Sequence, residues 1–169
     1  MADWVALMPN DFAARPNRVP WPPLIYAGAI GLALVLGDPW PRASRFIDMH
    51  GRLCLGIGIA IMAAGAVFDL SAMLAMSRRR ANILPHRAAT TLLTSGPFAL
   101  SRNPIYLGNA LMLAGAAPTF GNLWFLALAP VVVALITVLA IRREERHLAA
   151  RFGDAWDAYA ETTPRWLGL

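Results

Sequence analysis

Leu53-Cys-Leu-Gly-Ile-Gly-Ile-Ala-Ile-Met-Ala-Ala-Gly-Ala-Val-Phe-Asp-Leu-Ser-Ala-Met-Leu-Ala-Met76 is the stretch that decides the fold class. It carries one charged residue, Asp69, and exceeds the roughly 20 apolar residues that take a helix across a bilayer. Gly56, Gly58 and Gly65 would let neighbouring helices approach closely. An acid at membrane depth is costly and often functional. Asp69 lies only about two turns before Arg78-Arg79-Arg80, so a structural ion pair or hydrogen bond is the favoured reading.

Three other apolar segments flank this one. Residues 24–37 form a short block between Trp21 and Trp40, with Pro22 and Pro23 suited to a helix start and Gly37-Asp38-Pro39 to its end. Residues 104–117 and 123–141 form a hairpin around the uncharged turn Gly115-Ala-Ala-Pro-Thr-Phe-Gly-Asn122. The last of these continues in helical pattern through Arg142 to Ala150, out of the membrane. The expectation is an all-α polytopic integral membrane protein, a single domain with about four transmembrane helices. A C-terminal amphipathic helix follows, in which Phe152, Trp156 and Tyr159 recur at helical spacing. It is read as an interfacial anchor ahead of a lid.

Composition agrees. Of 169 residues, 57% are hydrophobic and the mean hydropathy is +0.50, too apolar for a soluble domain of this size. The net charge of +5 comes from arginine, without lysine. These arginines cluster beside apolar blocks as orientation signals do, which argues against a nucleic-acid partner. Arg78, Arg79, Arg80, Arg87 and Arg102 precede the hairpin, and Arg142, Arg143, Arg146, Arg151 and Arg165 follow it. Both groups are expected to face the cytoplasm across a bacterial inner membrane. Arg42, Arg45 and Arg52 fit that orientation less well. Cys54, the single cysteine, reads as a small buried residue, and Met-Ala-Asp-Trp at the start opens no cleavable signal peptide. No metal site and no oligomeric state follow from the pattern.

Chemistry concentrates in Leu92-Leu-Thr-Ser-Gly-Pro-Phe-Ala-Leu-Ser-Arg-Asn-Pro-Ile-Tyr-Leu-Gly108. Pro104 suits the first position of a helix and Asn103 its N-cap. A helix N-terminus beside Arg102 is also a site for a carboxylate or phosphate, with Tyr106 placed to hydrogen-bond or stack on a ligand. Gly96 and Pro97 would bend the chain towards a cavity, where irregular backbone is tolerated at a membrane edge. A second group is Arg142-Arg-Glu-Glu-Arg-His-Leu148. Glu144 and Glu145 lack basic residues four positions on, so their carboxylates remain available as acceptors.

Together, Leu93-Thr-Ser-Gly-Pro-Phe98, Ser101-Arg-Asn-Pro-Ile-Tyr106, Glu144-Glu145, and Arg151-Phe-Gly153 with Tyr159 and Pro164-Arg165 resemble the isoprenylcysteine carboxyl methyltransferases. The related phospholipid N-methyltransferases are similar in the same pieces. The resemblance implies an S-adenosylmethionine site at the cytosolic ends of the last two helices. Leu92, Leu93, Thr94, Gly96 and Phe98 would line it, and Arg102, Asn103, Pro104 and Tyr106 would form its basic wall. Glu144 and Glu145 would face hydroxyl or amino groups, with Arg102 and the two glutamates as the catalytic set. Asn103 stands where the family commonly has His, and Thr90 where the ester-forming branch tends to have His. These departures touch the acceptor more than the cofactor.

Sulfonium methyl transfer is an in-line displacement that relies on alignment and exclusion of water. A carboxylate acceptor needs no base, whereas an amine must lose a proton, to Glu144, Glu145 or His147. The acceptor is expected to be a lipid or lipophilic molecule. Sterol reductases resemble the same C-terminal pattern, so an NADPH-dependent membrane reductase is the alternative. A non-catalytic membrane partner is a third reading.

Overall fold

The computed structural model describes residues 20–37, 51–79 and 91–168, and every regular element among them is helical. The turn at Asp38-Pro39, Trp40, Arg42, Arg45, Arg80, Arg87, Thr90 and the N-terminal residues of the sequence reading lie outside the described residues. The helices are α1 (Trp21–Leu36), α2 (Gly51–Arg78), α3 (Pro97–Leu100), α4 (Pro104–Phe120), α5 (Trp124–Ile136), α6 (Arg142–Phe152) and α7 (Asp154–Thr162). A π-helical turn, Thr137–Ile141, joins α5 to α6 without a break.

Among the described residues, two helices are long and apolar enough to cross a membrane: α2, and the continuous Trp124–Phe152 rod made of α5, the π turn and α6. α1, with 16 residues, and α4, with 17, are apolar but shorter. Large side chains point outward. Val35 is 85% exposed, and Leu34, Leu53 and Val67 are also exposed. Beyond Pro22 at the start of α1, the buried positions of α1 and α2 are small instead: Ala29, Ala33, Cys54, Gly58, Gly65 and Ala72. A water-soluble fold would hide its leucines and valines. This arrangement suits a hydrocarbon surround, in which small residues let helices touch and large ones meet lipid.

α2 and α4 pack tightly through paired glycines. Gly58 faces Gly115 and Gly65 faces Gly108; a methyl group on Gly58 would stand 2.8 Å from the Gly115 carbonyl. Gly56, expected to share this role, faces open space. α4 in turn packs on α5, and α5 on α1. The core lies where α1, α4 and α5 meet, around Ala33, Leu113, Phe125, Val132 and Ile136.

The hairpin differs from its sequence reading. The stretch 115–120 is helix, and the turn is confined to Gly121–Leu123. Pro118 removes one backbone donor, while the Thr119 hydroxyl donates to the Gly115 carbonyl at 2.8 Å. Gly115 is meanwhile held against α2, so the last turn persists. It stops at Gly121, whose φ of 65° is left-handed. Asn122 then accepts a bond from the Trp124 backbone N–H and donates to the Ala33 carbonyl at 2.8 Å. That contact ties the hairpin to α1.

At the far end of α5, the Thr137 hydroxyl donates to the Val133 carbonyl at 2.6 Å just as the helix widens into its π turn. The extra residue of a π turn rotates everything after it, and such turns gather at functional sites. Glu144 and Glu145 occupy the first turn of the helix that follows. The C-terminal amphipathic stretch is divided, not continuous. Gly153, with φ of 51°, separates Phe152 in α6 from Trp156 and Tyr159 in α7.

Candidate functional site

The two sequence stretches meet. α4 begins at Pro104 directly after the Ser101–Asn103 bend, and α6 runs past it carrying the paired glutamates. The Tyr106 hydroxyl donates to Glu144 Oε1 at 2.7 Å. Arg102 Nη1 lies 3.4 Å from Glu145 Oε1. About forty residues of hairpin separate these partners in sequence, and the α4–α5 packing closes that gap.

Glu145 has a second cation. Arg165 donates through Nε to Oε1 at 2.9 Å and through Nη2 to Oε2, a fork-shaped pair. The Glu145 side chain is only 12% exposed, so both of its oxygens are engaged inside the protein. Hydrogen bonding to Glu145 pushes the Arg165 pKa above its already high ordinary value, against the opposing effect of burial. Glu145 therefore acts first as the joint between the bend, α6 and the C-terminal segment. The missing i+4 base led the sequence reading to leave both glutamates available. Their partners arrive from other parts of the chain, which helical spacing cannot reveal.

The C-terminal segment holds the bend by backbone as well. The Pro164 carbonyl accepts the Arg102 backbone N–H at 2.9 Å. The Arg165 carbonyl accepts the Ser101 hydroxyl at 3.0 Å and Asn103 Nδ2 at 3.2 Å. Asn103 sits at the N-cap position of α4, but its side chain makes no cap bond. The N-cap position read from Asn-Pro is therefore occupied as expected, without the side-chain cap bond, and the Asn103 amide adds a tether to Arg165. Pro104 does open the helix, and it is among the most deeply buried residues of the described chain.

α7, expected as an interfacial anchor, packs over the bend. The Arg102 guanidinium stands 5.8 Å from the centre of the buried Trp156 ring, within range of a cation–π attraction. The Tyr159 hydroxyl donates to the Phe98 carbonyl at 2.6 Å. Burial pushes the Tyr159 pKa up to about 12, with the Arg102 cation pulling the other way. Arg102 Nε is buried without a hydrogen-bond partner among the described residues. A lost hydrogen bond at a buried donor costs about 1–3 kcal/mol. His147 is 1% exposed and is not presented at a surface.

The upstream limb lies beside a hollow of about 400 Å³, within the size range of small-molecule sites. Leu93, Ser95, Gly96 and Pro97 form one wall; Ser71, Leu74, Ala75 and Arg78 of α2, with Arg79 just beyond its end, form the other. Gly96 has φ of 66°, a left-handed geometry that turns the chain into α3. Leu93 and Gly96, both expected near a cofactor, therefore line a cavity. Leu92 and Thr94 are their chain neighbours, and Phe98 contributes its carbonyl to Tyr159. Arg102, Glu144 and Glu145 do not line that hollow. The expected set thus forms two adjoining groups joined by α3.

Two participants were not singled out from sequence. Tyr26 of α1 donates to the Tyr106 carbonyl at 3.1 Å, and Arg165 clamps Glu145. Tyr26 had no signal beyond being a polar tip within an apolar block. Arg165 stood in a recognisable Pro-Arg step, but its target could not be read from it.

A helical protein of the membrane-associated class, with a polar cluster where four chain segments meet at one end of the bundle, is thus defined by its fold. The chain belongs to the phospholipid methyltransferase family, which matches residues 53–155. It is also similar to the cobalt-zinc-cadmium resistance protein CzcN of Cupriavidus metallidurans, 33% identical over 68% of this chain and 49% of that protein. A second relative is the nickel-cobalt-cadmium resistance protein NccN of Alcaligenes xylosoxydans, 32% identical over 48% of this chain and 38% of that protein. The chain spans about half or less of the length of these curated relatives. No solved structure matches it. Among the described residues, no group of three or more His, Cys, Asp or Glu side chains could hold a metal ion.

Proposed function

We propose that this chain is a membrane-embedded methyltransferase that uses S-adenosylmethionine to methylate a lipid or lipophilic acceptor. The observation that carries the reading is the meeting of the Arg102 bend with Glu144 and Glu145, in a chain of the phospholipid methyltransferase family. In this reading α1, α2, α4 and α5 all cross the bilayer. The arginine-bearing ends of α2 and α6, with the Arg102 bend, face the cytoplasm, as an arginine bias favours.

The residues present fit such a cofactor. Arg102 has an unsatisfied buried donor, and an incoming carboxylate would satisfy it. Glu144 accepts a hydrogen bond from Tyr106, which would fix its carboxylate where it faces the cofactor's hydroxyl or amino groups. The backbone of Leu92, Leu93, Thr94 and Gly96, with Phe98, would bound the remainder along the hollow. Asn103 and Pro104 would keep the start of α4 in position. Bound there, S-adenosylmethionine supplies a methyl group on a positively charged sulfur.

The chain's own contribution is alignment. Glu145, pinned by Arg102 and Arg165, fixes the bend relative to α6, and α7 covers the bend and excludes water. A displacement reaction depends strongly on such positioning. The family match favours methyl transfer over NADPH-dependent reduction. The test uses purified protein in lipid vesicles supplied with methyl-labelled S-adenosylmethionine and a bacterial lipid extract. Label is expected in the organic phase. No transfer, together with NADPH consumption by the same vesicles, would replace the proposal with the reductase reading.

A further inference from the structure

Tyr26 of α1 lies outside residues 53–155, the stretch that the family matches, yet it reaches the polar cluster. Its hydroxyl donates to the Tyr106 carbonyl at 3.1 Å, across 80 positions of sequence. Tyr106 stands in the first turn of α4, and its own hydroxyl donates to Glu144 Oε1 at 2.7 Å. Two hydrogen bonds in series therefore run from α1 through α4 to α6.

The support itself is anchored. Further along α1, the Ala33 carbonyl accepts the Asn122 amide at 2.8 Å, just past the end of α4. Tyr26 and Ala33 thus tie α1 to the two ends of α4, and Tyr26, Tyr106 and Trp166 all pack against the core. The same turn rests on α2 by packing, with Gly108 against Gly65 and the Asp69 side chain. Asp69 Oδ1 is buried there without a hydrogen-bond partner among the described residues. The ion pair or hydrogen bond expected of that acid is not met at this oxygen, and the directional tie to the turn comes from Tyr26.

We propose that Tyr26 is a positioning residue for the cofactor site. Its hydroxyl holds the first turn of α4, and with it the Tyr106 phenol, where that phenol orients Glu144. A misplacement of about 1 Å can cost a site up to roughly a hundredfold, so a small relaxation of this turn is enough to be felt. The proposal rests on the methyltransferase reading for what Glu144 faces, but not for the linkage of Tyr26, Tyr106 and Glu144 itself.

Two measurements on the full chain in nonionic detergent test it, both with Tyr26→Phe, which removes the hydroxyl and keeps the ring. The first needs no ligand. Equilibrium unfolding of Tyr106→Phe, Glu144→Gln and the double variant gives the coupling between those two residues. It is expected to be about fivefold in the unfolding equilibrium with Tyr26 in place, and below about twofold in Tyr26→Phe. The second is S-adenosylmethionine affinity by calorimetric titration. Tyr26→Phe should weaken it about three- to tenfold, the worth of one neutral hydrogen bond. In a chain already carrying Tyr106→Phe, it should have no further effect, whereas a merely structural phenol would act equally in both. A Tyr106–Glu144 coupling that persists in Tyr26→Phe overturns the proposal. An affinity that Tyr26→Phe leaves unchanged, or lowers equally with and without the Tyr106 hydroxyl, overturns it too. Absence of coupling with Tyr26 in place does so without Tyr26 being touched. If the wild-type protein binds no S-adenosylmethionine, the methyltransferase reading fails, and the ligand-free coupling still decides the role of Tyr26.

Discussion

Replacing Arg165 by alanine tests the joint that holds the site together. The change removes the forked bond to Glu145 but leaves the Arg165 carbonyl free to accept its bonds from Ser101 and Asn103. Exposed ion pairs contribute about 0–1 kcal/mol, and breaking a buried one costs about 3–5 kcal/mol. This pair lies between those cases, with Arg165 33% and Glu145 12% exposed. Arg102 remains 3.4 Å away to offset part of the stranded charge. The expected loss is therefore about 1.5–2.5 kcal/mol. A double-mutant cycle with Glu145→Gln, read by equilibrium unfolding in mixed micelles, should give a coupling of about 1–2 kcal/mol. Proteolysis should also reach the 163–168 segment sooner in Arg165→Ala. A coupling below about 0.3 kcal/mol, the usual error of independent sites, would refute the clamp.

Gly115→Ala drives a methyl group against the Gly58 carbonyl and should destabilise the α2–α4 pair by about 1–3 kcal/mol. Gly56→Ala meets open space and should leave thermal unfolding unchanged or slightly improved. Tyr159 gives a pH dependence. Its folded pKa of about 12 lies above the ordinary value of 10.0, so its contribution is complete below pH 10 and is lost as pH rises towards 12. Across that window the wild-type protein should lose stability more steeply than Tyr159→Phe, by at most about 1.4 kcal/mol per pH unit. Parallel curves would show that the phenol does not hold the Phe98 carbonyl in solution.

Much of the helical pattern was legible because a bilayer leaves a coarse signature. Long uncharged runs such as Leu53–Met76 need no knowledge of neighbours, and the helix carrying Glu144 continues past Ile141 as its pattern implies. The hairpin turn was misplaced because Gly115 and Pro118 look like punctuation. Gly115 is in fact a packing surface for α2, and such a role is visible only once two helices are side by side. For the same reason Gly56 could not be told from Gly58.

That Arg102, Tyr106, Glu144 and Glu145 belong together was legible from their residue types and from a family pattern, and they do meet in one polar cluster. The division of labour between the two glutamates was not. It depends on Arg165, twenty residues further along the chain, and on a π turn that sets the direction in which α6 presents its first turn. Asn103 shows the limit of local rules. It stands at the N-cap position that its place before a proline implies, but its amide also donates to the Arg165 carbonyl, a contact that local rules do not foresee.

Calorimetric titration of S-adenosylmethionine into the detergent-purified protein tests the central claim most directly. The account predicts saturable binding that Arg102→Ala and Glu144→Gln each weaken by about tenfold or more, the loss of one charge-assisted hydrogen bond, with helical content unchanged. Affinity identical to wild type in both variants would contradict it.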